Sequence, residues 1–311
     1  MLDVNNFIIL HNDSINGWML RKFASMSICC VCINRSNDFI SRQAKKIASY
    51  CQTTVFSNYI YNNKIIKYIT NCEAIILFDS KYTNMDLRWL RFYFPNLRII
   101  LWFWNPIGNT ILPQDIAQTQ KDIELWSYSV TDSEKYNLHY NTPFYPLLNA
   151  VSSEEATEYD VIFWGRNKNR KKMIEYYGKI FEKIGLDTRI HITPDRWFQS
   201  FYQPNMSHYA PYDKILADIM RSRSILDVYT NPMAGLSLRT MEALFYKKKL
   251  ITNSMEIKRY DFYSKDNIFI LGEDDIQYLA DFVKSPYVDI DPRIVRKYNV
   301  ESWLKRFDVK S

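Results

Sequence analysis

The fold is decided by residues 225–253, which read ILDVYTNPMAGLSLRTMEALFYKKKLITN. The run begins with ILDVY, the apolar pattern of a strand that is buried on both faces. A turn containing Gly235 follows, and apolar residues then recur at helical spacing over 238–245. The segment ends in LIT, a second short apolar run. This order predicts a parallel α/β unit in which a helix begins at the carboxyl end of a strand.

Such a helix N-terminus is suited to a phosphate, because free N–H groups and the positive end of the helix dipole meet there. Gly235, Leu236 and Ser237 would supply the backbone amides, and Ser237 is also the predicted N-cap. Arg239 lies one turn into the helix and is either a further phosphate ligand or an exposed helix arginine. Glu242 lies further along, off the apolar stripe. It is either an acceptor for sugar hydroxyls or a solvated glutamate on an ordinary βαβ unit.

The pattern resembles the nucleotide-sugar half of GT-B glycosyltransferases, in which two Rossmann-like domains face each other. It is most similar to bacterial enzymes that build lipopolysaccharide, capsule or other surface polysaccharide, whose segment runs from "sILD" through "GLslRtxEaL" to "kKLIT". Further stretches carry the resemblance: LWFWNPIGN (101–109), LWSYSVTDSEKYNLHYNTPFY (125–145), DVIFWGRNKNRKK (160–172) and YNVESWLKRF (298–307). The resemblance implies a nucleotide-sugar donor, a glycan or glycolipid acceptor, and a role for Glu242 in holding the donor's ribose.

One departure from the resembled pattern concerns stereochemistry. Many retaining members carry two glutamates eight positions apart in this loop and helix, whereas Ala234 stands eight positions before Glu242 here. The sequence therefore leaves open whether the anomeric configuration is retained or inverted.

Length and alternation predict two domains. The chain has 311 residues, of which 47% are hydrophobic, enough for two cores. Strand and helix signals alternate in both halves, which predicts an α/β fold with two Rossmann-like parallel sheets. The predicted limits are 1–151 for an acceptor-side domain, 152–158 (SSEEATE) for a linker, 159–290 for the nucleotide-sugar domain and 291–311 for a helix that crosses back to the first domain.

Predicted strands of the first half lie at 7–10, 27–33, 53–56, 74–78 and 97–103, with helices at 40–50, 62–71 and 85–94. In the second half we predict strands at 160–164, 187–192, 225–229 and 268–271, with helices at 171–184, 213–221, 236–245, 274–283 and 291–307.

The second candidate phosphate ligand is the loop RNKNRKK (166–172), which holds five cations in seven residues. It directly follows a predicted strand and Gly165, a functional position in α/β sheets. Arg166 is the first candidate for stabilising a leaving diphosphate, because guanidinium binds phosphate oxygens in a bidentate way. Lys168 and Arg170 would support it. With such a basic cradle no metal ion is implied, and no cofactor is needed beyond the substrates.

For two roles, stacking against the nucleotide base and acting as general base, the sequence offers more than one candidate residue. Tyr212, just before a helix, could stack against the nucleotide base, with Tyr209 as the alternative. An inverting transfer would need a general base in the first domain. Asp13, in the loop after the first strand, is the first candidate, followed by His11 and Asp79, while a retaining transfer needs no such base.

The composition limits which class of protein this is and in which cellular compartment we expect it. The chain has only seven glycines, with no G-x-G-x-x-G and no Walker-type loop, which argues against dinucleotide and P-loop proteins. Five cysteines without a disulfide framework, and an N-terminus unlike a signal peptide, predict a cytoplasmic location. The net charge of +6 and the aromatic residues allow peripheral contact with the inner face of the membrane.

These observations favour a metal-independent, hexosyltransferase-like glycosyltransferase acting on a lipid-linked or lipopolysaccharide-type acceptor, with a UDP- or GDP-linked donor. The alternative is a non-catalytic nucleotide-sugar-binding or regulatory protein on the same fold. Nucleic-acid binding is disfavoured, because no recognition motif accompanies the positive charge.

Overall fold

A computed structural model describes residues 7–12, 15–36, 38–51, 53, 55–107, 111–119, 122–152, 156–195, 207–231 and 235–308. The chain forms two compact units. The first comprises Met1–Thr142 together with Trp303–Ser311, and the second comprises Pro143–Ser302.

The first unit is built on a parallel sheet flanked by helices. Its strands are β1 (Phe7–His11), β2 (Cys29–Cys32), β3 (Ala74–Phe78), β4 (Arg98–Phe103), β5 (Ile123–Ser127) and β6 (His139–Tyr140). Its helices are α1 (Gly17–Ser25), α2 (Phe39–Tyr50), α3 (Ser57–Ile60), α4 (Ile66–Ile69), α5 (Thr83–Tyr93), α6 (Pro113–Thr119) and α7 (Val130–Tyr136). The central strands β3 (AIILF) and β4 (RIILWF) are continuous apolar runs, because helices cover both of their faces.

The second unit repeats this plan. Its strands are β7 (Tyr159–Arg166), β8 (Thr188–Thr193), β9 (Ser222–Asp227), β10 (Lys249–Thr252) and β11 (Ile268–Ile270). Its helices are α8 (Lys171–Lys183), α9 (Tyr212–Met220), α10 (Leu238–Phe245), α11 (Leu279–Lys284) and α12 (Pro292–Lys297), and α13 (Val300–Lys305) leads back to the first unit.

Both sheets have the same doubly wound topology. Their strand orders are β2-β1-β3-β4-β5-β6 and β11-β10-β9-β7-β8, and all of the named strand pairs are parallel. Counted within each unit, the first five strands follow the order 2-1-3-4-5. The order reverses between β1 and β3 in the first sheet and between β7 and β9 in the second. Ligands of open α/β sheets bind beyond the carboxyl ends of the strands at such switch points.

The predicted fold class, two Rossmann-like parallel sheets, is confirmed, and so is the return of the C-terminal helix. The indole of Trp303 lies edge-on to that of Trp102 on β4, with ring centroids 5.2 Å apart. The backbone carbonyl of Trp303 accepts a hydrogen bond of 3.1 Å from Nδ2 of Asn141. At the end of the chain, Phe307 packs against Trp126 of β5 at 4.9 Å. Residues 303–308 thus complete the core of the first unit.

Several predicted elements differ from the structure. No strand forms among the described residues of 53–56, where turns lead into α3. The helix predicted at 62–71 is a 3-10 turn (Asn63–Ile65) followed by α4, and the one at 274–283 begins as a 3-10 turn (Ile276–Tyr278) before α11. The closing helix is broken between α12 and α13. The break occurs because the carbonyl of Tyr298 accepts from Tyr145 N (2.8 Å), and Val300 N donates to Tyr145 O (3.1 Å).

The predicted domain limits remain predictions. Residues 153–155 of the proposed linker lie outside the described residues, and Glu158 N donates to Arg221 O (2.7 Å) within the second unit. The backbone of Val151 also bonds to that unit, donating to Phe245 O (2.7 Å). In the part of the chain that the structure describes, no helix is both long and apolar enough to cross a membrane.

Candidate nucleotide-sugar site

The buried guanidinium group of Arg170 and the half-buried one of Arg239 converge at the switch point of the second sheet. Gly165 lies near the end of β7, next to β9. A Cβ atom placed on it would lie 2.9 Å from Nη1 of Arg239 and 3.1 Å from Nη2 of Arg170. Both arginines also lie over the ring of Phe163, each 5.2 Å from its centroid. A side chain at position 165 would therefore force the two guanidinium groups to shift.

Both guanidinium groups are fixed by the ends of the central strands. Arg170 donates through Nη1 to the carbonyl of Val228 (2.6 Å), and through Nε and Nη2 to that of Arg166 (3.3 Å each). Arg239 donates through Nη1 to the carbonyl of Trp164 (3.0 Å). Burial, and then the nearby charge of Arg239, lower the pKa of Arg170 to about 10. Both groups therefore stay charged near neutral pH.

Asp227, the last residue of β9, organises the start of α10. This fully buried carboxylate accepts from Arg239 Nε (3.0 Å), Ser237 Oγ (2.7 Å) and the Tyr229 hydroxyl (2.6 Å). Burial acts to lower the pKa of Arg239, but the neighbouring negative charges, Asp227 first, outweigh it and raise that pKa. The carboxylate thus holds Arg239 in its charged form beside Gly165.

The N-terminus of α10 is partly occupied by protein groups. Ser237 is the N-cap, as predicted, and its Oγ accepts from Arg239 N (3.1 Å). Ser237 N, one of the amides predicted to face a phosphate, donates instead to the hydroxyl of Tyr229 (2.7 Å). Gly235 has a φ of +84°, a left-handed conformation that glycine adopts without strain, and Leu236 is buried. Residues 232–234, including Ala234, lie outside the described residues.

The loop after β7 presents the more accessible cations. The side chains of Arg166 and Lys168 are exposed. Lys168 and Asn169 have φ values of +43° and +60°. This conformation costs a residue such as lysine about 1–2 kcal/mol. It is held by a hydrogen bond from Lys168 N to Asp195 Oδ1 (2.9 Å). Loss of solvent around the Lys168 ammonium, and then the charges of nearby arginines, lower its pKa although the residue remains exposed overall.

Glu242 is buried, whereas its place off the apolar stripe predicted an accessible carboxylate. Its exposure is 3%, and the hydroxyl of Tyr212 donates to its Oε1. The Tyr212 hydroxyl also lies 2.9 Å from that of Tyr145. Burial raises the pKa of Glu242 to about 7, against the opposing effects of the Tyr212 hydrogen bond and of Arg239. The difference from the prediction arises because α9 and the segment around Tyr145 cover this side of α10.

A separate aromatic cavity of about 290 Å³ lies beside β7 and β8 in the same unit. Trp164 and His191 stack within it with ring centroids 3.9 Å apart, and Tyr209 and Lys214 also line it. Tyr209 is held by a bond from its hydroxyl to the carbonyl of Pro194 (2.6 Å). Of the two tyrosines considered for the base, Tyr209 therefore borders a cavity, while Tyr212 hydrogen-bonds to Glu242.

Of the three candidate general bases in the first unit, the structure describes two. Asp13 lies outside the described residues. His11 is the buried last residue of β1. Asp79 joins the ends of β3 and β4, since its Oδ1 accepts from the backbone N of Trp104 (2.6 Å) and Asn105 (3.2 Å). These bonds give Asp79 a structural role.

Next to these residues is a buried polar cluster that the sequence reading missed. Asp86 on α5 accepts from Asn12 Nδ2 (2.7 Å) and the Tyr61 hydroxyl (3.1 Å). The ammonium of Lys45 on α2 donates to Asn12 and to Asn34 and lies 4.0 Å from Asp86. Burial raises the pKa of Asp86, with Lys45 opposing the rise. The cluster fixes the chain at the carboxyl end of β1.

Other site residues were also missed by sequence reasoning. Asp227 was read only as part of a strand, although a carboxylate at the last position of a buried strand is a recognisable signal. Tyr229, Trp164 and His191 had no such signal, because a tyrosine or tryptophan in an apolar run looks like core. Among the described residues, no cluster of three or more His, Cys, Asp or Glu side chains could hold a metal ion.

No protein-family model matches the chain, and no curated protein matches it. Three solved structures illustrate its similarity in fold. The lipopolysaccharide outer core galactosyltransferase WaaB, in its apo form, is 15% identical with a TM-score of 0.49, over 97% of this chain and 98% of that one. The DNA-modifying enzyme β-glucosyltransferase, solved with and without uridine diphosphoglucose, is 11% identical with a TM-score of 0.49, over 96% and 92%.

The third structure, TarM, is 14% identical with a TM-score of 0.48 over 75% of this chain. Only 53% of TarM is covered, so this chain spans about half its length. At such identities and TM-scores, these similarities carry no argument about what this chain binds or catalyses.

Proposed function

We propose that the chain is a GT-B-type glycosyltransferase. It transfers a sugar, hexose-like in size, from a UDP- or GDP-linked donor to a lipid-linked or lipopolysaccharide-type glycan acceptor. We expect the reaction to take place in the cytoplasm, with the acceptor presented at the inner face of the membrane.

The observation that carries the proposal is the convergence of cations at the switch point of the second sheet. Arg170 and Arg239 lie against Gly165, Arg166 follows it, and the charges of these arginines reach Lys168, while the nearby carboxylates are Asp227 and Asp195. A diphosphate binds at such a site with a small desolvation cost, because positive charges that offset its negative charge are already held in position. As the bond to the sugar breaks, charge grows on the departing phosphate, and pre-positioned cations stabilise that state more than the ground state.

The cations have different parts in this proposal. Arg166 is exposed and can approach the departing phosphate, which makes it the proposed catalytic group. Lys168 supports it from the same loop. Arg170 and Arg239 are fixed behind Gly165 and supply a constant positive field. The backbone at Gly235, Leu236 and Ser237 closes the phosphate site, with Ser237 N available when the Tyr229 hydroxyl moves away.

Glu242 is proposed to bind the ribose, and this requires a change of hydrogen-bond partner. In the present structure Tyr212 donates to Oε1, so a ribose hydroxyl either replaces Tyr212 or uses Oε2. The aromatic ring of Tyr212 remains the proposed neighbour of the base, with the cavity at Tyr209 as the alternative position.

On the acceptor side, Asp13 is proposed as the general base of an inverting transfer. It would take the proton of the acceptor hydroxyl while that oxygen bonds to the anomeric carbon and the nucleoside diphosphate departs. A retaining transfer would not need Asp13. No metal ion is required in either case, because the cations around Gly165 neutralise the diphosphate.

The first experiment is a thermal-shift screen of nucleoside diphosphates and nucleotide sugars. A specific ligand at a hundredfold excess over its Kd stabilises the fold by about 2.7 kcal/mol. We expect UDP or GDP, with its sugars, to raise Tm, while nucleoside monophosphates raise it less. The same donors are then incubated with a membrane glycolipid extract, and release of nucleoside diphosphate is measured. Binding without acceptor-dependent release would support the non-catalytic alternative, and no binding by any nucleotide would reject the proposal.

A further inference from the structure

The outward face of α2 is apolar and its inward face is small or polar, the reverse of an ordinary surface helix. Phe39, Ile40, Ile47 and Tyr50 are 68%, 66%, 49% and 90% exposed. At about 100° per residue these four side chains fall within a sector of about 100°. We call them the α2 face. The opposite side, which is buried, consists of Ser41, Ala44, Lys45 and Ala48.

Further large apolar side chains are exposed on the same β2-to-β3 crossover. They are Val55 (80%), Tyr59 (56%) and Tyr68 (51%). Tyr59 belongs to α3, which lies directly against α2, because the hydroxyl of Ser41 donates to the carbonyl of Tyr59 (2.9 Å). Scattered apolar residues on a surface need no explanation, but four large apolar side chains exposed within one sector of a single helix indicate an interaction surface.

The crossover is also positively charged. Residues 33–73 contain six lysines and arginines and two acidic residues, a net charge of +4, while the whole chain has a net charge of +6. Arg42 and Lys46 are exposed along one border of the α2 face. Of the two acidic residues, Asp38 is the N-cap of α2, accepting from Ser41 N (2.7 Å), and Glu73 directly precedes β3.

We propose that the α2 face docks on an anionic lipid surface, with α2 lying parallel to the membrane. Apolar side chains enter the boundary between headgroups and acyl chains, and Arg42 and Lys46 extend their stems so that their charges meet the lipid headgroups. A second copy of this chain is a poorer occupant, since it would bring two surfaces of the same positive charge together.

The buried side of α2 connects this surface to the switch point of the first sheet. Lys45, opposite the α2 face, donates to Asn12, the residue that follows β1. This link concerns the acceptor and rests on the proposed function, because a lipid-linked acceptor would then be presented close to the carboxyl end of β1. The docking itself stands on exposure and charge alone.

The test is co-sedimentation of the full chain with phosphatidylcholine vesicles, with and without 30% phosphatidylglycerol. We expect binding to the anionic vesicles that weakens as salt is added. Ile47→Gln with Tyr50→Gln should weaken it roughly tenfold or more, through lost apolar burial. Arg42→Gln with Lys46→Gln should weaken it about fivefold for each cation removed. The matched control, Tyr176→Gln with Tyr278→Gln, removes two tyrosines that are each 61% exposed in the second unit and should bind as wild type does.

Three results would overturn the docking proposal. They are absence of binding to anionic vesicles, equal binding to neutral vesicles, and wild-type binding by the Ile47/Tyr50 variant. A dimer in sedimentation that this variant converts to monomer would also overturn it, since the α2 face would then join two copies. Titration of wild type and of each variant with nucleoside diphosphate separates the two proposals. A variant that loses vesicle binding but still binds nucleotide supports the docking, whereas wild type that binds nucleotide but not anionic vesicles rejects only the docking.

Discussion

The hydroxyl of Tyr212 donates a hydrogen bond to Oε1 of Glu242 inside the second unit. Through Tyr212 the carboxylate is linked to Tyr145, whose hydroxyl lies 2.9 Å from that of Tyr212. One oxygen of the carboxyl group therefore already has a donor from the protein. Burial raises the pKa of all three groups, and that of Glu242 to about 7, so the carboxyl group is the member of this chain of contacts that titrates near neutral pH.

The first prediction concerns Glu242→Gln and pH. The pKa of Glu242 rises from its ordinary value of 4.5 to about 7 on folding. Between these values the folded state holds a proton that the unfolded chain has released. The stability contributed by the protonated group is complete below pH 4.5 and is lost as pH rises through 7, by about 3 kcal/mol. Gln does not titrate, so the stability difference, wild type minus variant, should fall by that amount between pH 4.5 and 8. Urea unfolding measures it, and a difference independent of pH would contradict the shifted pKa.

The second prediction separates the two roles considered for Tyr212. Tyr212→Phe keeps the ring and removes the hydroxyl, which should cost about 1–3 kcal/mol of stability because Glu242 loses its donor. If a ribose hydroxyl replaces that donor, nucleoside diphosphate should restore more stability to this variant than to wild type. Tyr209→Phe serves as the control. Loss of nucleotide binding in Tyr212→Phe would show that the hydroxyl itself contacts the ligand.

The third prediction tests Arg166 as the group that stabilises the departing diphosphate. Arg166→Ala should lower kcat by about 10²–10³ with saturating donor and change Tm little, because the side chain is exposed. Lys172→Ala is the matched control, since Lys172 belongs to the same basic run but is exposed on α8. Equal turnover by both variants would reject the assignment.

The fourth prediction uses two glycines in the same unit. An alanine Cβ at Gly165 would lie 2.9 Å from the Arg239 guanidinium, and one at Gly178 would lie 2.6 Å from Cδ1 of Ile190. Both changes overpack the protein and should cost about 1–3 kcal/mol. Only Gly165→Ala should also weaken nucleoside diphosphate binding, because it displaces the cations. The Kd of each variant for nucleoside diphosphate is measured by calorimetric titration at a temperature where both are folded. Similar Kd values for the two variants would mean that the phosphate binds elsewhere.

The fifth prediction concerns the return of the chain to the first unit. Trp303 is fully buried and contacts Phe78, Trp102 and Phe307 edge-on. Trp303→Ala should lower the free energy of unfolding by about 3–5 kcal/mol. Phe92→Ala removes an aromatic ring that is 74% exposed and should change stability by about 0.5 kcal/mol or less. Comparable losses in the two variants would mean that Trp303 does not complete the core.

The elements that sequence predicted well are those whose own residues decide their conformation. β3 occupies 74–78 as predicted, because its apolar run is bounded by Glu73 and Asp79. Ser237 caps α10 as predicted, because serine is a preferred N-cap residue and this one directly precedes the apolar residues of the helix. The Val55–Phe56 pair failed as a strand because a short apolar run is compatible with either structure, and its neighbours fold into α3.

Features that depend on distant parts of the chain could not be predicted. The break after α12 exists because Tyr145, far earlier in the sequence, bonds to the backbone on both sides of Asn299. The burial of Glu242 depends on Tyr212, which is 30 positions away. Helical periodicity contains no information on either contact, so the sequence predicted the elements that carry the candidate residues but not the hydrogen bonds that those residues make.

The return of residues 303–308 sets an order of events during synthesis on the ribosome. Asn141 and Trp303 are 162 positions apart, so at about 5–20 residues per second roughly 8–30 s separate their translation. Throughout that interval Trp102 and Trp126 lack the two rings that cover them in the finished protein. The unit whose strands leave the ribosome first therefore closes its core only after residues 303–307 are made, and the newly made chain exposes indole surface until those residues emerge.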